Sequence, residues 1–232
     1  MKKLLLCALL LQALPALAGR PLGTDDAGTV GDRQCQLEGW HEKGKDSRGW
    51  VVSPACGVGE FELGLEASTT KLPESQRESA QSLALKWGPA ALKAGPVSFG
   101  AKLWSGRARV SPAGEDEWKG YRPVEHGGML IASWEATDSV AVHANLGVFR
   151  DRVEKKDGRV ANLAATWDAT ERVMLFAELQ NQERAGTTQA TGLRVWAIPD
   201  RLGIDFTASR VAGVKDSRVY TIGFGWYGIF GQ

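Results

Sequence analysis

Short runs of alternating polarity, each about nine to twelve residues long and closed by turn chemistry, recur along most of the chain. In an extended segment successive side chains point to opposite faces, so period two marks a strand with unlike surroundings on its two sides. Phe61, Leu63, Leu65 and Ala67 share one face, and Glu60, Glu62, Gly64 and Glu66 take the other. Val97, Phe99, Ala101 and Leu103 oppose Ser98, Gly100, Lys102 and Trp104. Val140, Val142, Ala144, Leu146 and Val148 oppose His143, Asn145 and Gly147. Similar segments run around Leu83–Trp87, Ala161–Trp167, Val173–Gln180, Leu202–Ser209 and Tyr220–Phe230. Turns near Val58-Gly59, Ala136–Asp138, Asp168–Thr170 and Pro199-Asp200 are short. Those around Lys71–Ser79, Ala108–His126, Glu154–Gly158, Arg184–Thr187 and Gly213–Ser217 are longer and more charged. The stretch from Pro89 to Pro96 is longer than this rhythm asks. The pattern predicts an all-β fold, a closed antiparallel transmembrane β-barrel of about twelve strands, with both termini on the side of the short turns.

A soluble β-sandwich shares the period-two pattern. Alternating connection lengths favour the barrel, because outer-membrane barrels join short periplasmic turns with longer external loops. Trp87, Trp134 and Trp167 fall just before inferred periplasmic turns, where an indole meets hydrocarbon on one side and water on the other. The last strand, Tyr220 to Phe230, is rich in aromatics and suits closure against the first. Closure matters because a free sheet edge in lipid leaves backbone N–H and C=O groups unpaired.

The amino terminus adds an export signal. Lys2 and Lys3 precede an apolar run from Leu4 to Leu14, and Ala16-Leu17-Ala18 offers a small-x-small cleavage pattern. Residues 1–18 are therefore expected to be a signal peptide, 19–31 an N-terminal periplasmic segment and 32–232 the barrel. Loss of Lys2 and Lys3 leaves 26 basic against 27 acidic side chains, a net charge of about −1. That balance excludes a nucleic-acid footprint. No Gly-rich phosphate loop is present, so no nucleotide energy source and no cofactor are expected. The expected partners are outer-membrane lipid and a small-molecule solute.

Cys35 and Cys56 remain after the leader. If residues 32–43 and 48–57 form a hairpin around Gly44–Ser47, positions whose numbers sum to 91 lie opposite each other, and the two cysteines satisfy that sum. A cross-strand disulfide is expected in an exported chain.

The segment Arg20-Pro21-Leu22-Gly23-Thr24-Asp25-Asp26-Ala27-Gly28-Thr29-Val30 resembles the start of the outer-membrane family named for the meta-pathway of phenol degradation. The resemblance implies an outer-membrane barrel acting as a channel or transporter for small, often aromatic or apolar, molecules. Thr24, Asp25 and Asp26 carry two readings. They could cap local turns through their side-chain oxygens, or the segment could fold into the periplasmic mouth as a partial plug that pairs with lumen cations. Two adjacent Asp alone make no metal cage.

If the apolar faces meet lipid, the other faces line an interior. Lys86, Lys102, Trp104, His143, Asn145, Glu178, Arg194 and Asp205 are the expected pore-lining residues, with Glu60, Glu62, Glu66, Arg150 and Gln180 beside them. Such a mixed-charge lumen suits either a cross-braced polar network or a narrow selective pore. Its positive side chains would favour anionic solutes, and Trp104 could stack an aromatic ring. A passive channel is the function this pattern supports first. A non-transporting structural or interaction barrel is the alternative, and a lipid-modifying enzyme ranks behind it. Ser98 and Ser133 could face inward, but no Gly-x-Ser-x-Gly elbow occurs and sequence spacing places no serine beside His41, His126 or His143. No catalytic residue and no metal site are expected. The loop Arg107–His126, with Trp118, Tyr121, Glu115, Asp116, Glu117 and Lys119, is long enough to fold over the external mouth.

Overall fold

The computed structural model describes residues 21–73, 76–92, 95–111 and 120–230. The leader 1–18 and loop residues 115–119 lie outside the described residues. The strands are β1 (Cys35–Lys43), β2 (Arg48–Val58), β3 (Phe61–Lys71), β4 (Arg77–Trp87), β5 (Val97–Ser111) and β6 (Arg122–Thr137). They continue as β7 (Val140–Asp151), β8 (Lys156–Thr170), β9 (Val173–Gln182), β10 (Gly186–Ile198), β11 (Leu202–Val211) and β12 (Val219–Ile229). Each pairs antiparallel with its sequence neighbours, and β12 returns to β1, so the ring is closed. Every strand then has two hydrogen-bonded neighbours, which is what a sheet needs to sit in hydrocarbon.

The first hairpin has the expected register. Cys35 faces Cys56 and Lys43 faces Arg48. The turn closes with a hydrogen bond from the Gly44 N–H to the Ser47 carbonyl at 2.9 Å. Cys35 and Cys56 are joined by a disulfide. The two-residue turn after β2 needs a left-handed residue, and Gly59 supplies it with φ 62°.

The outer wall is apolar. Leu130 and Leu146 are 71% and 68% exposed, and Leu63, Leu65, Leu103, Val148 and Phe206 stand out with them. In a soluble sandwich these side chains would fill a dry centre; here they clothe the exterior. The pairs Phe61↔Trp87, Val97↔Trp134 and Val140↔Trp167 set three exposed indoles at the end of the barrel that carries the termini. Trp226, also exposed, pairs with Leu37 and Leu202 at the same end. This is the aromatic girdle of a membrane barrel.

The N-terminal segment follows its plug reading and runs inside the barrel, with Asp25 and Asp26 against Lys102 and Lys86. Two expectations change. The long loop is shorter than read, because β5 extends to Ser111 and β6 begins at Arg122; the guanidiniums of Arg107 and Arg109 lie 5.2 and 5.0 Å from the Tyr121 ring centre. Arg150 is not interior. It lies on the face opposite Asn145 and Phe149 and bonds Asp157 at 3.1 Å near the external rim, because alternation from the buried Asn145 puts an even-numbered β7 residue outside.

Candidate functional site

The inward faces follow from strand alternation. Lys86 on β4 and Lys102 on β5 are directly opposite each other, and both point into the lumen. Two like charges side by side on one face repel, so the lumen needs an acid there. The N-terminal segment provides it. Asp25, 1% exposed, receives Lys102 Nζ at 2.7 Å on Oδ2 and stands 3.9 Å from Lys86 Nζ through Oδ1. Asp26 lies 3.5 Å from Lys86 Nζ. Asp26 Oδ1 also accepts the Gly28 N–H at 2.6 Å, so local capping and lumen pairing are both present.

The rest of the segment is bound by side chains from strands far apart in sequence. Glu178 on β9 accepts the Gly23 and Thr24 N–H groups and the Thr24 hydroxyl, at 2.9 to 3.1 Å. Asn145 on β7 reads the Asp25 backbone twice, accepting its N–H and donating to its carbonyl, both at 2.8 Å. Glu62 on β3 accepts the Val30 N–H at 2.9 Å. The Pro89 carbonyl accepts the Thr29 N–H at 2.9 Å. Ser133 and His143 are opposite each other on β6 and β7, a Ser–His pair that sequence spacing alone did not place. The Ser133 hydroxyl bridges the Ala27 N–H and His143 Nδ1, each at 2.8 Å. Both side chains are buried beneath the segment, so the hydroxyl is engaged in anchoring. His41 lies on the other side of the wall, against Trp50 at 4.4 Å.

Apolar contacts complete the fit. Ala27 packs with Met129 and Ile131, and Leu22 with Ala164 and Phe176. The alternation reading missed the lumen side of β6 because Met129-Leu130-Ile131-Ala132 is apolar on both faces. Two glycines make room for the segment's backbone. A Cβ at Gly88 would collide with the Ala27 carbonyl, and one at Gly57 with the Gly31 carbonyl.

A second cluster occupies the wall of β10, β11, β12 and β1. Arg194 forms a bidentate pair with Asp205, at 2.7 and 3.1 Å. Its guanidinium lies 4.8 Å from the Trp196 ring centre and 5.1 Å from that of Tyr227. The Tyr227 hydroxyl donates to Glu38 at 2.8 Å. Tyr227 and Glu38 were not among the expected site residues. Tyr227 was legible, since it continues the inward series Thr221, Gly223, Gly225 of the last strand.

Above the segment, toward the external rim, the lumen holds a cavity of about 720 Å3. Pro21, Leu22 and Gly23 are among its lining, with Glu178 and Gln180 beside them at the level of the segment. Trp40 and Trp104 line it too. The Trp104 Nε1–H donates to Glu125 at 2.7 Å and the Trp40 Nε1–H to Glu42 at 2.8 Å. At the rim, Lys45 bonds Asp216 across two loops at 2.7 Å, and that hydrogen bond holds the ammonium above its ordinary pKa.

A closed twelve-strand antiparallel ring, apolar and aromatic-girdled outside and polar inside, defines the outer-membrane class of β-barrel. The comparison with solved structures agrees. KdgM, a porin solved in complex with disordered oligogalacturonate, superposes with a TM-score of 0.59 at 11% identity, over 82% of this chain and 98% of KdgM. The NanC porin does so with a TM-score of 0.59 at 10% identity, over 83% of this chain and 98% of NanC. At these identities the likeness is one of fold. No protein-family profile matches the chain, and no curated protein matches it by sequence.

Proposed function

We propose that this chain is a passive channel of the bacterial outer membrane for small solutes, apolar and aromatic ones among them, narrowed by its own N-terminal segment. One observation carries the reading. The ring encloses a cavity of about 720 Å3 on the external side, lined at its inner end by Pro21, Leu22 and Gly23. A solute entering from outside meets that segment before it meets the periplasm. The Arg-Pro…Thr-Asp-Asp-Ala likeness to the meta-pathway phenol family and the superposition on two porins support the same direction. The lipid-facing girdle and the export signal support an outer-membrane location.

The expected pore residues take specific places in this reading. Lys86, Lys102, Asn145, His143 and Glu178 hold or flank the segment, Arg194 and Asp205 brace the far wall, and Trp104 faces the open cavity. The non-transporting alternative draws on the same network, since a segment bonded to β3, β6, β7 and β9 at once is placed to obstruct the bore. Reconstitution in planar bilayers separates the two. Discrete, small conductance steps are expected, and electrically silent membranes holding folded protein would favour the anchor. Envelope fractionation checks the location: heat-modifiable mobility in the outer-membrane fraction is expected, whereas release with the periplasm would remove the premise.

A further inference from the structure

The outer face of β1 to β5 carries an unbalanced row of cations at its external edge. Cross-strand pairing sets Lys43 opposite Arg48, Arg48 opposite Lys71 and Lys71 opposite Arg77. All four are exposed, and three of them continue the outward series of Trp50, Val52, Leu65 and Leu83. Arg109 and Arg107 extend the patch on β5, diagonal to Arg77, with their guanidiniums 5.0 and 5.2 Å from the Tyr121 ring centre. Like charges directly opposite each other in a sheet repel. The outward positions of β1 to β5 hold no acid to relieve them, since Glu42 and Glu78 belong to the inward faces of β1 and β4. Asp46 stands in the β1–β2 turn beside Lys45. Among the described residues, the ion pairs of the external rim lie elsewhere: Lys45 with Asp216, Arg150 with Asp157 and Lys156 with Glu154.

The row also sits at a defined depth. Phe61 and Trp87 mark the girdle at the other end of the same strands, and Lys71 is ten residues from Phe61. A rise of about 3.4 Å per residue on a strand tilted about 40° lifts Lys71 roughly 25 Å from that girdle, the height of a barrel's apolar band. Cations at that height meet headgroups rather than hydrocarbon. Trp50, 63% exposed and one outward position below Arg48, supplies an indole at the same interface. The opposite wall lacks the pattern. There Asp157 answers Arg150, Arg210 bonds Gln189, and the outer ends of β9 and β10 present Asn181, Thr187 and Gln189.

We propose that this row docks the phosphorylated headgroup of a lipid of the external leaflet. Phosphate oxygens accept from Arg48 and Arg77, whose planar guanidiniums match them two by two, and Lys43 and Lys71 add charge beside them. The acyl chains lie down the apolar wall against Val52, Leu65 and Leu83. The inference rests on the outer-membrane location and is independent of conduction through the lumen.

Native mass spectrometry of the folded chain in detergent tests it with three lipids of matched acyl chains: diphosphoryl, monophosphoryl and fully dephosphorylated lipid A. The diphosphoryl lipid is expected to bind roughly tenfold more tightly than the dephosphorylated one, with the monophosphoryl lipid between them. Lys43→Gln, Arg48→Gln, Lys71→Gln and Arg77→Gln combined are expected to remove that difference. A second variant takes the same number of charges from the opposite wall and rim, by Arg159→Gln, Arg210→Gln, Lys215→Gln and Arg218→Gln, and is expected to keep it. Heat-modifiable mobility verifies that both variants are folded. Equal affinity for the three lipids, or equal loss in the two variants, overturns the proposal. Inorganic phosphate at the concentration of the lipid is expected to displace none of it; displacement would assign the row to a free anion and overturn the lipid reading. Planar bilayers are run in parallel. Silence there removes the channel and leaves lipid binding standing, whereas conductance without a preference for phosphorylated lipid removes only the present inference.

Discussion

The two halves of the lumen are built on the same twelve strands and the same alternation, yet they differ in kind. At the end that carries the termini an inserted segment brings acids to buried lysines, and its amides are taken up by Glu178, Asn145, Ser133 and Glu62. At the opposite end a cavity remains, with Glu42, Glu78 and Glu125 in its lining and Lys45, Lys215 and Arg218 at its rim. The strands do not make that difference. About ten residues ahead of β1 do, by turning one half into something like a protein core while leaving the other as a vestibule. The lesson is that a barrel's bore is set by what lies in it as much as by strand number.

The largest effect expected from breaking this contrast comes from Asp25→Ala. It leaves Lys86 and Lys102 side by side in a buried site, and loss of one partner of a buried pair costs about 3–5 kcal/mol. The segment should leave the lumen and single-channel conductance should rise several-fold over the wild type. Unchanged conductance would mean that the segment does not set the bore. Gly88→Val reaches the same end by shape. Its side chain would occupy the space of the Ala27 carbonyl. Limited proteolysis reads the outcome: the segment should be cut in the variant and protected in the wild type, with barrel mobility on gels unaltered.

Asn145→Ala should do less. It strands an N–H and a carbonyl of Asp25, a loss of about 1–3 kcal/mol for groups left unsatisfied out of water. A modest gain in conductance is expected, measurable beside that of Asp25→Ala, and a larger one would shift weight from the ion pairs to the amide contacts. Lys45→Ala marks the lower bound. Its pair with Asp216 is exposed at the rim, so no change in melting temperature is expected at neutral pH. Because Asp216 raises the Lys45 pKa, whatever the pair contributes is complete below the ordinary lysine value and fades as pH climbs through the raised one. A melting temperature that varies with this substitution near neutrality would place more weight on the rim than its exposure allows.

Much of the barrel could be read from the chain, and the reasons are local. Period two put Leu63 and Leu146 outside, and the sum rule of one hairpin placed Cys35 on Cys56. The segment's position was harder to read because its bonds to the wall join residues 32 to 155 positions apart, and no periodicity spans such distances. A clue was nonetheless available. The β4–β5 pairing sets Lys86 opposite Lys102 on the lumen side, and two facing lysines call for acids from elsewhere. The plug reading of Thr24, Asp25 and Asp26 supplies them, through Asp25 and Asp26. Arg150 was misplaced because alternation was not carried to the end of β7, and Glu38 was passed over because the faces of β1 were not assigned.

Amide hydrogen exchange of the folded protein in detergent tests the central claim most directly. The N–H groups of Gly23, Thr24, Asp25, Ala27 and Val30 each have an acceptor from the barrel wall. They should exchange as slowly as amides in the centres of β7 and β9. Exchange at the rate of an unstructured peptide, in a barrel whose strands stay protected, would show the segment outside and contradict a lumen divided by it.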